Sequence, residues 1–208
     1  MKQLALAISP PPQPTLDNFV SGANAELLEC LRKLSSGNCP ETIIYLWGDA
    51  GSGKSHLLRA CGALRAGAGD RLRIADDVQT LDEESQIALF NAINEARQSG
   101  GAVLAAGNEP PPRLPLREDL KSRLAWGLVY HVKPLTDDER AVFLRTEAER
   151  RGMRLTDEVV RYLLTHARRD LPSLAAILDE LDRASLELKR PISLPLLRET
   201  LAAIERPR

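Results

Sequence analysis

Apolar residues recur along this chain in two rhythms, and the change between them divides it. Up to Lys133, short apolar runs alternate with longer stretches of helical period; beyond it only the helical period remains. TIIYLW (42–47) and AVLAAGN (102–108) are short and apolar on both faces, so they predict buried strands. RLRIA (71–75) and LVYHV (128–132) predict two more. Between the strands, Leu27, Leu28, Leu31 and Leu34 stand at helical spacing after Asn24, a capping residue type. SHLLRACGALRA predicts a helix ended by Gly67. In DEESQIALFNAINEARQSGG, Ile87, Phe90, Ala92 and Ile93 fall on or near one face, and Gly100 and Gly101 stop the helix. Past Lys133, helices are predicted near 136–151, 156–168, 171–189 and 193–204, with Thr136, Thr156 and Ser193 as N-caps. Strands alternating with helices imply a parallel sheet with right-handed crossovers. An α/β part therefore ends near residue 134 and a helical part follows.

The first residues fit neither rhythm. MKQLALAISPPPQPT begins with an apolar run, Leu4 to Ile8, that is shorter than the roughly 7–15 residues of a secretory core and the about 20 of a membrane helix. Pro10, Pro11, Pro12 and Pro14 fix φ, remove backbone donors and favour an extended spacer. The run reads as an edge strand or as a peptide offered to a partner.

Composition narrows the class. A chain of 208 residues makes one domain or two small ones. The net charge of −1 gives no overall basic character for gripping DNA. Arg145, Arg150, Arg151 and Arg154 form a local cluster that reads as a solvated helix face. Cys30, Cys39 and Cys61 lack CxxC spacing, which argues against a disulfide framework or zinc site and fits a reducing cytoplasm.

The chemistry is concentrated in Gly48-Asp49-Ala50-Gly51-Ser52-Gly53-Lys54-Ser55, which matches GxxxxGK[ST] between a predicted strand and a predicted helix. Glycines let backbone N–H groups curl around phosphate oxygens, and the following helix points its positive end at the same anion. Lys54 is expected to reach the β- and γ-phosphates, and Ser55 to ligate Mg²⁺. Asp76 and Asp77 end the next strand; one acid there can hold Mg²⁺ through water, and its neighbour can orient the attacking water. Asn108, at the end of the third strand, can position that water. Arg123 precedes the fourth strand in KSRLAWG.

Together these residues resemble the AAA+ core of the replication initiator DnaA and, more closely, the DnaA-related Hda family. LDNFVSGAN resembles the adenine-side segment, which implies nucleotide contacts by Phe19 and Val20. GDAGSGKSHLL resembles the Walker A loop and its helix, adding His56. IADD resembles Walker B, AAGNEPPPRL the sensor 1 strand, LKSRLAWGL the arginine-finger box with Arg123 at the finger, and LDELDRASLELKRPISLPLLRETL the lid. Gln3, Leu4, Leu6 and Ile8 resemble the QLxL-type peptides that dock on the replication sliding clamp. The resemblance implies an AAA+ P-loop α/β core with a short parallel sheet and an all-helical lid. The divisions are a clamp-binding tail and spacer at 1–15, the nucleotide-binding subdomain at 16–134 and the lid at 135–208.

The implied function is negative regulation of replication initiation. The chain would bind ATP or ADP with Mg²⁺, dock on the DNA-loaded clamp and stimulate hydrolysis of DnaA-bound ATP through Arg123. It would be cytoplasmic, meet DNA only indirectly, avoid membranes and have scope to self-associate. Candidate catalytic residues are Asp77, Asn108 and Arg123; candidate metal ligands are Ser55 and Asp76.

Three departures matter. Only about twenty residues separate Ser55 from Asp76, too few for a further strand–helix unit, so the family's second strand is expected to be missing from the sheet edge, with Arg73 on the new edge deterring strand addition. Asp119 stands where the initiator typically has a second Arg. The sensor 2 Arg position falls on Pro172, which cannot contact phosphate and leaves Arg168 or Arg169 as substitutes. Two other readings stay open: a DnaA-related bridging adaptor without hydrolysis stimulation, and an autonomous AAA+ ATPase such as a helicase loader or short initiator. Neutral charge and Pro172 argue against the loader.

Overall fold

The structure, a computed structural model, describes residues 13–65 and 71–204, so Gln3, Leu4, Leu6 and Ile8 lie outside the described residues. The described chain forms two compact units, 13–134 and 135–204. In the first, strands β1 (Ile43–Trp47), β2 (Leu72–Ala75), β3 (Ala102–Gly107) and β4 (Leu128–His131) run parallel in the order β2-β3-β1-β4. The register sets Ile43 opposite Val103 and Ile44 opposite Leu128.

Alternation along the two inner strands builds two cores. Ile44, Leu46, Leu104 and Ala106 face helices α1 (Ala25–Ser35) and α2 (Lys54–Arg65). Ile43, Tyr45, Val103 and Ala105 face α3 (Glu83–Ser99) and α4 (Glu118–Ala125). The sheet is therefore covered on both sides, as apolar parallel strands require. A single crossover helix joins β1 to β2, so β2 is an edge strand, and the four-strand sheet expected from the short Ser55–Asp76 spacing is what forms. Arg73 is exposed on that edge.

Three local expectations change. Asn24 does not cap α1 with its side chain; it is 4% exposed, and its amide donates to the Lys133 carbonyl at 2.9 Å and accepts from the Lys133 N–H at 2.8 Å. The buried face of α3 is Leu89, Ile93 and Ala96, leaving Ile87 exposed, because the sheet meets the helix on the side marked by Leu89 rather than Ile87. And α4 forms in a stretch read only as the lead-in to the fourth strand; Leu120 and Leu124, one turn apart, bury it.

The second unit holds α5 (Asp137–Arg150), α6 (Asp157–His166), α7 (Leu171–Leu188) and α8 (Leu194–Ile204) around Leu144, Leu163, Leu174, Leu178 and Leu197. Thr136 and Glu139 form a capping box, Thr156 accepts from the Val159 N–H, and Asp170 caps α7 ahead of Pro172 in its first turn. Arg145 pairs with Asp157, Arg150 with Glu147, and Arg151 with Glu147 and Asp179, while Arg154 is exposed. These pairs make a charged surface of both signs rather than a basic one. Among the described residues no helix is long and apolar enough to cross a membrane.

Candidate nucleotide-binding site

Strand β1 delivers the chain to Gly48, and α2 begins at Lys54; the loop between them has an exposed crest at Asp49, Ala50 and Gly51. Gly48 has φ +150° and Gly53 φ +100°, and a Cβ would meet the Val132 carbonyl at 2.7 Å at the first and the Phe19 ring at 2.6 Å at the second. Both positions therefore require glycine. Lys54 is 8% exposed, and its Nζ donates to the carbonyls of Gly48 at 2.8 Å and Asp49 at 2.9 Å. Burial pushes its ammonium below the ordinary lysine value, against the opposing pull of Asp77, Asp76 and Asp49. Ser52 Oγ is buried with no hydrogen-bond partner among the described residues. The first turn of α2, which carries Ser55, has no acidic side chain to neutralise its positive end. An orphaned hydroxyl, a bare helix N-terminus and a lysine folded over the loop make a donor set suited to a phosphate chain.

The amino-terminal segment closes over this loop. The Phe19 ring lies on Gly53 and stands 5.6 Å from the His56 ring, centroid to centroid; Val20 is half-buried beside it in sequence. His56 Nε2 lies 2.9 Å from the Thr15 carbonyl and ties the segment to α2.

The acids after β2 are held by a turn. Asp77 adopts the left-handed conformation (φ 48°, ψ 45°), which Asp tolerates better than most residues. Its N–H donates to Asp76 Oδ1 at 3.0 Å, and its carbonyl accepts from the Thr80 hydroxyl at 2.8 Å. Sequence reasoning missed Gln79. Its amide nitrogen donates to Asp77 Oδ1 at 3.1 Å, and its Oε1 accepts from the Asn108 N–H at 3.2 Å. Gln79 thus joins the ends of β2 and β3 and brings Asp77 and Asn108 together. The only local signal was a polar residue in the turn leaving β2. Tyr45, fully buried, donates to the Glu109 carbonyl at 2.8 Å and fixes the loop after Asn108.

Arg123 is elsewhere. It sits in the last turn of α4, just before β4, so it lies at the entry end of the parallel sheet while the glycine loop leaves the exit end of β1. A cavity of about 390 Å³, lined by Pro40, Glu41, Thr42, Ile43, Arg97, Trp126 and Gly127, marks that same entry end. Asp119 accepts from Arg117 at 2.8 Å and from the Leu120 N–H at 2.8 Å. In the helical unit, Pro172 lies in the first turn of α7, Arg168 stands 3.5 Å from Asp170 and Arg169 stands 3.7 Å from Asp137.

A glycine loop between a central strand and a helix, with paired acids on the next strand but one and an all-helical unit following in sequence, defines a P-loop protein of the AAA+ class. Domain III of DnaA from Thermotoga maritima shares the fold, with a TM-score of 0.75 at 21% identity over 94% of this chain and 98% of that one. AMPPCP-bound DnaA from Aquifex aeolicus matches with a TM-score of 0.70 at 22% identity, over 81% of this chain and 64% of that one. Residues 137–201 match the Hda lid domain family. A protein of Haemophilus influenzae, described as uncharacterized, is 34% identical over 228 residues, covering 96% of this chain and 98% of its own length. The chain belongs to the Hda family of DnaA-related AAA+ proteins.

Proposed function

We propose that this chain is a cytoplasmic negative regulator of replication initiation. It binds an adenine nucleotide, docks on the DNA-loaded sliding clamp, and presents Arg123 to ATP held by DnaA. Family membership supports DnaA regulation as the setting, and the AMPPCP carried by the Aquifex relative supports the ligand class. The phosphates would lie on the 48–55 loop with Lys54 and the Ser52 hydroxyl, the base beside Phe19, Val20 and His56, and Mg²⁺ against Ser55 and Asp76. Gln3, Leu4, Leu6 and Ile8 would supply the clamp peptide, the prolines a spacer to residue 15, and 16–134 and 135–208 the nucleotide-binding and lid subdomains.

The observation that carries the reading is the separation of Arg123 from the loop along the sheet: it lies at the entry end, the loop at the exit end. A finger so placed serves a neighbouring molecule's nucleotide rather than its own chain's. Its contribution is charge stabilisation of the transferring phosphoryl group, about 10³–10⁵ in rate for arginine fingers generally. Pro172 offers no cation at the lid position where the initiator has one, which suits a nucleotide-bound regulator with little turnover of its own.

The test is ATP hydrolysis by purified DnaA with this protein, with and without DNA-loaded clamp. Stimulation that needs the clamp and disappears in Arg123→Ala, with nucleotide affinity and melting temperature kept, is expected; Arg123→Lys rescues little, because an ammonium lacks the planar fork. Undiminished stimulation by folded Arg123→Ala overturns the finger assignment and leaves the bridging adaptor.

A further inference from the structure

Arg123 is held in an unusual way for a surface arginine. Its guanidinium carbon lies 4.1 Å from the centre of the Trp126 ring and 5.3 Å from that of Phe90. The two rings come from different helices, Phe90 from α3 and Trp126 from the C-terminal cap of α4. Trp126 is set under Arg123 by the backbone, since its N–H donates to the Arg123 carbonyl at 3.2 Å. Among the described residues Arg123 forms no ion pair, although carboxylates lie on its own helix at Glu118 and Asp119. Trp126 remains 55% exposed, so burial does not account for its place, and Arg97 crosses the same ring at 4.9 Å from α3.

Ring faces and carboxylates hold a guanidinium differently. A carboxylate occupies the N–H edge of the fork and competes with any phosphate. An aromatic ring attracts the cation through its face and leaves the in-plane N–H donors pointing outward. Two rings from two elements also restrict a side chain that otherwise carries much rotamer freedom.

We propose that Trp126 and Phe90 are positioning residues for Arg123: a two-ring cradle that holds the guanidinium by its face and keeps its N–H edge free for an anionic phosphoryl group on a partner. The inference rests on the reading of Arg123 as a finger acting in trans. Trp126→Ala should then lower Arg123-dependent stimulation of DnaA-bound ATP hydrolysis about two- to fivefold, the scale of one exposed cation–π contact. Trp126→Phe, which keeps a ring face, should recover most of it. Nucleotide affinity should not move in either variant.

Two readouts on the full chain separate the cradle from the finger reading. In the wild type, NMR of the Arg123 Nε–H and Cδ protons should show upfield ring-current shifts, identified by their loss in Arg123→Lys. Trp126→Ala should abolish most of that shift, and Trp126→Phe should retain part of it. Unshifted Arg123 signals in the wild type overturn the cradle, whatever the activity. Shifted signals together with full stimulation by Trp126→Ala overturn the positioning role. Shifted signals with no stimulation by the wild type overturn the finger reading, and with it the role of the rings, while leaving the cradle as a structural fact. Should Trp126→Ala fold poorly, Phe90→Leu, which removes the second ring and keeps apolar volume, must lower stimulation and shift by a smaller factor; unchanged values for both refute the proposal.

Discussion

Asn24 grips Lys133 by both backbone groups, donating to its carbonyl at 2.9 Å and accepting from its N–H at 2.8 Å. The two residues are 109 positions apart, so this amide ties the start of α1 to the end of β4 and fixes the segment that carries Phe19 over the glycine loop. Asn24→Ala leaves two backbone groups without partners, at a cost of about 1–3 kcal/mol each where water cannot reach them. A drop of several degrees in melting temperature is expected. Asn24→Asp keeps the acceptor but loses the donor, and at neutral pH should not restore stability. A melting temperature equal to wild type in Asn24→Ala would show the bridge to be dispensable.

Lys54→Ala removes the ammonium that lies on Gly48 and Asp49. The loop's shape rests on glycine backbone angles and on the packing of Gly48 and Gly53, which the change leaves alone. Fluorescent ATP and ADP titrations should therefore show binding lost, with the fold largely intact by circular dichroism. Equal affinities in wild type and variant would sink the nucleotide site.

What the sequence made legible is what local pattern encodes. Apolar runs placed all four strands, the glycine loop announced itself by spacing, and the shortness of the Ser55–Asp76 interval put β2 at the edge. What stayed hidden depends on partners remote in sequence. Asn24 has the chemistry of a cap, and nothing near it reveals Lys133. Gln79 reaches Asn108, 29 residues on, and Trp126 gains its meaning only when α3 brings Phe90 and Arg97 beside it. The candidate acids and amide were legible as types; the turn that joins them was not.

The amino-terminal peptide is open to a direct test. Changing Gln3, Leu4 and Leu6 together to Ala should abolish capture by the sliding clamp, because short peptides concentrate affinity in a few anchors. Melting temperature should stay within error if the tail serves a partner. A surviving clamp interaction rules out the peptide, and a large fall in melting temperature points to a strand packed on the body.

Acid should loosen the helical unit through Asp170. Burial raises this carboxyl's pKa, but its hydrogen bonds with Ser173 and the nearby Arg168 outweigh that effect, so it lies below the usual aspartate value. A depressed folded value means that the stabilisation is present above the unfolded pKa, about 3.9, and is lost as pH falls through the folded value. Asp170→Ala should cost about 1 kcal/mol at neutral pH, the usual worth of an N-cap. The gap between wild type and variant, measured by urea denaturation, should narrow below about pH 4. Asp170→Asn, which caps without titrating, should keep a constant gap to Asp170→Ala over the same range; a constant gap between wild type and Asp170→Ala from neutral to acid would refute the carboxylate cap as its source.

Gln79 offers the sharpest test of the acid pair. Its amide donates to Asp77 Oδ1 at 3.1 Å and accepts from the Asn108 N–H at 3.2 Å, while Asp77 sits in a backbone region that side chains seldom occupy. Gln79→Ala frees both partners, so the Asp77 carboxylate loses its fixed direction. Because Gln79 is only half-buried, the stability cost should stay near 1 kcal/mol. Nucleotide binding without metal should hardly change, since Lys54 and the glycine loop are untouched. On the proposed reading, in which the acids at the end of β2 help to hold Mg²⁺, the gain in affinity on adding the metal should fall several-fold. Gln79→Glu keeps an acceptor for Asn108 but sets a second carboxylate against Asp77 in place of a donor, so it should not restore the metal-dependent gain. If Gln79→Ala and Gln79→Glu both retain the full Mg²⁺ increment, the turn does not organise the acids, and Asp76 and Asp77 must be directed by other contacts.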